Sequence, residues 1–82
     1  MNVHVKHDEA SAVLVRRHNR EALVQAYFDA SQGLRRLAHR LKREALEWEA
    51  QGHHGNYALC RKESDRLWRS ANWHLQQARI SR

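Results

Sequence analysis

The 82-residue chain has no proline, one cysteine and three glycines. Without proline nothing inside it forces a helix to stop, and extra backbone freedom is confined to Gly33, Gly52 and Gly55. A lone Cys60 excludes an intramolecular disulfide and a cysteine-built zinc cluster. No long apolar run and no leader-like segment occur, so a cytoplasmic protein without stable membrane insertion is expected. The chain also has no glycine-rich phosphate loop and no nucleophile motif, and two helices cannot enclose an apolar pocket. We therefore expect no enzyme, no catalytic residue and no cofactor.

What is present is helical and basic. Strand signals are nearly absent, and eleven of the apolar residues are alanine. One domain this small buries only about 60–65% of the surface its unfolded chain exposes. Having few large apolar groups, it is expected to gain stability by pairing with a copy of itself. The net charge of +6 predicts attraction to acidic partners. Arginine outnumbers lysine twelve to three, which suits carboxylate or phosphate contacts.

Leu23, Tyr27, Ala30, Leu34, Leu37, Leu41 and Trp48 recur at alternating steps of four and three, with one gap at Glu44. That spacing marks one face of a long amphipathic helix. Residues 1–7 lack the period and are expected as an arm. Asp8 or Ser11 can cap a helix running over 8–51, with Gly33 as its candidate bend. A tight joint at Gly33 between two shorter helices is the alternative. Residues 52–56 form the predicted turn, with Gly52 just past one helix and Asn56 capping the next. The second helix is expected over 57–79, with a stripe of Tyr57, Cys60, Ser64, Leu67, Trp68, Ala71, Leu75 and Ala78. The expected architecture is thus all-α: a helical hairpin of one long helix and one shorter antiparallel helix, dimerising into a bundle. The core or dimer seam is Leu23, Tyr27, Leu34, Leu37, Leu41, Trp48, Leu67 and Trp68. Val13 to Leu23 would lack cover within one chain.

Leu59, Trp73 and Ile80 fall off the second stripe at seven-residue spacing, and Phe28 and Leu46 fall off the first. Exposed apolar lines of this kind mark binding surfaces, and tryptophan and arginine are frequent interface hot spots. The candidate protein-binding set is Phe28, Leu59, Trp73 and Ile80, with Arg35, Arg36, Arg40 and Arg43 steering toward an acidic target. The same arginines could instead track phosphates of RNA or DNA, although zinc-finger spacing, an RNA-binding aromatic signature and a helix-turn-helix are all missing. His4-x-x-His7 and His53-His54 lack the further ligands a tetrahedral metal site needs, so no metal is expected. Cys60 is most simply a small packing residue.

The short length, the arginine, alanine and histidine richness, and the tail from Asp65 to Leu75 (Asp-Arg-Leu-Trp-Arg-Ser-Ala-Asn-Trp-His-Leu) resemble small early-gene proteins of temperate bacteriophages. That resemblance implies a protein that binds one host protein and blocks it. A transcription regulator, a pilus-assembly motor ATPase and a CRISPR nuclease complex are targets of that kind. Rop-type hairpin dimers are the architectural analogue for the nucleic-acid alternative.

Overall fold

The computed structural model describes the backbone from residue 3 to 82 and the side chains from residue 14 onward. Two antiparallel helices make up the fold, α1 (Val3–Ala50) and α2 (His54–Ile80). At 1.5 Å per residue, 48 residues span about 72 Å, which matches the longest dimension of 72 Å. The radius of gyration is 20.9 Å, against about 12 Å for a compact chain of this length. The molecule is a rod.

α1 is continuous through Gly33, so the long-helix reading holds and the two-helix alternative does not. Gly33 does not need its freedom there, since the only glycine with positive φ is Gly52 (φ 77). The helix begins at Val3, five residues before the expected cap at Asp8. No glycine or proline precedes Asp8 to break it, so residues 3–7 continue the helix. Residues 1–2 lie outside the described part.

The turn is shorter than expected, spanning 51–53. His53 N–H donates to the Trp48 carbonyl at 2.9 Å and Gly52 N–H to the Glu49 carbonyl at 3.0 Å. With Gly52 left-handed, this pair of bonds is a Schellman motif. The His53 ring stands edge-on to Trp48 with centroids 5.3 Å apart, adding the contact that often accompanies the motif. Asn56 is not the cap. Tyr57 N–H already bonds to the His53 carbonyl at 3.0 Å, so α2 starts at His54 and takes Gly55 and Asn56 into its first turn. His53 holds the cap position with no side-chain bond.

The packing line differs from the sequence seam. Buried on α1 are Ser31, Ala38 and Ala45; on α2 they are Ser64, Leu67, Ala71 and Ala78. Each helix thus presents small residues every seven positions, and those two ridges meet. The Ser31 hydroxyl donates to the Ala71 carbonyl and the Ser64 hydroxyl to the Ala38 carbonyl, both at 2.8 Å. A hydroxyl reaches the opposite backbone only when the axes approach closely, toward the short end of the roughly 8–10 Å range of packed helices. Both pairs are equidistant from residue 51, which fixes the register and sets Ile80 opposite residue 22. Residues 3–21 therefore run on beyond the end of α2.

Large side chains flank the ridge instead of forming it. Tyr27, Leu34, Leu41 and Trp48 are half-buried. Leu23 and Leu37 stay open, at 48% and 43% exposure, although the four–three spacing placed them on the seam with the others. Small residues displace them because they let backbone meet backbone, and dispersion gains accumulate over the whole length of the contact. The gap at Glu44 has the same origin, for Ala45 beside it is the buried position.

Candidate functional site

The expected binding residues separate onto different sides of the rod. Leu59, Trp73 and Ile80 form a line on the outer edge of α2, 67%, 51% and 68% exposed. Arg66 shares that line at the same spacing. Its Nε donates to the two Glu63 carboxylate oxygens at 3.0 and 3.1 Å, and its terminal nitrogen also pairs with that carboxylate. Hydrogen bonds from Arg66 hold the Glu63 carboxyl below its usual range, and Glu63 raises the Arg66 guanidinium in turn.

Trp73 is fixed at its inner edge. Its ring meets Tyr27 edge-to-face at 6.0 Å and His74 at 5.0 Å, and Tyr27 lies 6.1 Å from His74. Edge-to-face pairs at these separations are favourable. His74 Nδ1 lies 2.7 Å from the Ser70 carbonyl. A carbonyl can only accept, so Nδ1 carries the proton, and the imidazole is locked against its own helix. The result is a tryptophan with one side anchored and one side open.

Phe28 does not belong with this line. It is half-buried, and the Arg82 guanidinium lies 5.2 Å over its ring. Arg35, one heptad on, lies 5.4 Å over Trp68, whose ring also meets His39 edge-on at 5.0 Å. Phe28, Arg35 and Trp68 thus share the opposite side of the hairpin from Tyr27 and Trp73. Arg35 covers a half-buried tryptophan through a cation–π contact, a packing role that the sequence pattern assigned to steering. Leu67 is buried within the hairpin junction and Trp68 half-buried beside it.

Arg36, Arg40 and Arg43 remain as an exposed cationic stripe on α1. With Gly33 and Leu37 they line a shallow depression, and Arg36 and Arg43 line a second with His39, Lys42 and Leu46. Arg40 Nε is 3.9 Å from a Glu44 carboxylate oxygen, a long, exposed pair of little energetic weight. A third open depression sits where α2 ends, between Arg17, Arg20, Glu21 and Val24 of α1 and Ser81 and Arg82. None of the three is an enclosed pocket of the kind that surrounds a substrate.

Cys60 is half-buried on the packing side of α2, and no described group of three His, Cys, Asp or Glu side chains is placed to hold a metal. The His4–His7 pair lies outside the described side chains. Among the described residues, no helix is long and apolar enough to cross a membrane. Spacing within one helix does not bring together the partners that position Trp73. Tyr27 falls on the core or dimer seam of α1, and His74 carries no periodic signal of its own. The signal that would have joined them is the antiparallel register about residue 51, which sets residue 27 nearly opposite residue 75. No family model, curated protein or solved structure matches the chain.

Proposed function

We propose that this chain is a non-enzymatic interaction protein that docks the outer edge of α2 on a larger host protein and inhibits or modulates it. The supporting observation is the line of Leu59, Trp73 and Ile80, open to solvent while Trp73 is held by Tyr27 and His74. Helix-in-groove recognition uses anchors at such intervals, and an anchored tryptophan loses little freedom on binding. Arg36, Arg40 and Arg43 would raise the encounter rate with an acidic target. The bacteriophage early-gene resemblance agrees with this reading.

The test is quantitative capture from nuclease-treated host lysate with wild-type chain and with Trp73→Ala/Ile80→Ala. Loss of a hot-spot pair should reduce captured target at least about tenfold while far-UV circular dichroism stays unchanged. Unchanged capture with intact helix content would remove α2's edge as the docking surface.

The stripe of Arg36, Arg40, Lys42 and Arg43 supports a second reading, a Rop-like grip on an RNA or DNA backbone. Four phosphate contacts would make affinity fall by roughly 150-fold between about 50 and 200 mM salt. A gel-shift series in salt separates the readings, because an apolar docking edge depends far less on ionic strength.

A further inference from the structure

The stripe that α2 leaves half-covered reads the same in both directions. Leu23, Tyr27, Ala30, Leu34, Leu37 and Leu41 follow steps of four, three, four, three, four, a palindrome about residue 32. Continued by three residues at either end, the stripe reaches Arg20 and Glu44, and no charged residue occupies a stripe position between them. We propose that a second copy of this chain covers the stripe, with the two α1 helices antiparallel and related by a twofold axis at residue 32.

In that register Leu23 lies opposite the partner's Leu41, Tyr27 opposite the partner's Leu37, and Ala30 opposite the partner's Leu34. These are the cross-pairs of an antiparallel coiled coil, alternating by three and four. Arg20 then lies opposite the partner's Glu44, twice by symmetry. A parallel pairing would instead set arginine beside arginine and glutamate beside glutamate. The twofold arrangement is also the one in which a single self-complementary patch closes upon itself.

The exposed surface is large enough for such a partner. The chain exposes 6708 Å², whereas a folded monomer of 9.7 kDa exposes about 5,100 Å². The excess of roughly 1,600 Å² is twice the about 800 Å² that each partner buries in a standard interface. Charge narrows the choice further. Two chains of net charge +6 repel across most of their surface, and the stripe is where they can meet with only one cation and one carboxylate each, facing in opposite order. Tyr27 belongs to the stripe and its ring meets Trp73, so the pairing borders the anchored side of Trp73, while Leu59 and Ile80 are not stripe positions.

Sedimentation equilibrium of the full chain tests the proposal. The wild type should weigh twice 9.7 kDa at micromolar concentration. Arg20→Glu and Glu44→Arg should each raise the dimer dissociation constant roughly tenfold, since each reversal sets two like-charge pairs face to face. The double variant should return close to wild type. Leu37→Glu, at an open position of the monomer, should give a helical monomer by circular dichroism. A chain that stays monomeric up to about 200 µM would leave the stripe to the host target and overturn the proposal. A dimer whose double variant shows no recovery would overturn the antiparallel register.

Discussion

Ser31 and Ser64 are the residues through which this sequence states how close its helices must come. Each hydroxyl donates across the hairpin to a carbonyl that also serves its own helix. Removing the hydroxyl therefore strands no acceptor, and Ser64→Ala should cost no more than about 1 kcal/mol. Enlarging the side chain is another matter. Ser64 is 2% exposed, and Ser64→Leu should cost about 3 kcal/mol, at the upper end for overpacking. Urea unfolding of both variants checks the order. A leucine variant as stable as the alanine variant would mean the axes are not in close contact. Gly33 gives the opposite expectation. It sits inside a continuous helix, and a Cβ placed there meets nothing within 4 Å, so Gly33→Ala should stabilise by about 0.5–1 kcal/mol. The Glu63–Arg66 pair lies at the surface with its side chains only partly covered, and such pairs carry little net energy, so Glu63→Gln should leave the melting temperature at neutral pH nearly unchanged. The Glu63 carboxyl is lowered in the folded chain. Whatever stability it lends is present above the ordinary carboxylate range and is lost as pH falls through its own value, an acid-side slope the glutamine variant should lack.

At the scale of the elements, α1 outruns its partner. The register places Ile80 near residue 22, so amides of residues 14–20 lie on a stretch of α1 without α2 beside it, with Leu14 and Val15 exposed. In the monomer, native-state hydrogen exchange should find those amides exchanging well before the amides of residues 31–48, which lie along the small-residue ridge, whereas the proposed pairing sets them opposite residues 44–50 of the second copy and should slow them. Equal protection along all of α1 would show that another chain covers the stretch. Both helices, their antiparallel order and the turn at Gly52 were legible in the sequence, because amphipathic spacing and a left-handed glycine are local signals. The choice of packing face was not. Leu23 and Leu37 advertise burial by hydrophobicity, while Ser31, Ala38 and Ala45 exert their effect only once a second small ridge lies opposite, at Ser64, Ala71 and Ala78. The candidate site was half legible for the same reason. Leu59, Trp73 and Ile80 share a line within one helix and could be read from spacing. Phe28 was misplaced because its side of the rod depends on where α2 lies, and Arg35 was assigned to steering because its contact with Trp68 crosses between helices.

For the whole molecule, shape tests the proposed assembly independently of mass. Pairing about residue 32 overlaps the two long helices over most of their length. The dimer should then be about 90 Å long by helical rise, against 72 Å for one chain. Mass would double while length grows by about a quarter. Small-angle scattering should therefore report a rod that thickens. A maximum dimension beyond about 120 Å would indicate that copies join end to end through the uncovered part of α1 instead.

The ridge also bears on descent. Its six small positions fall at intervals of seven, seven, nineteen, seven and seven, symmetric about the turn. Only glycine, alanine or serine fits where two backbones approach so closely, whereas the flanking positions accept many side chains. Lineages diverging from this chain can replace nearly every exposed letter and still keep that rhythm. Kinship should therefore be sought in the spacing of its smallest residues before it is sought in overall identity.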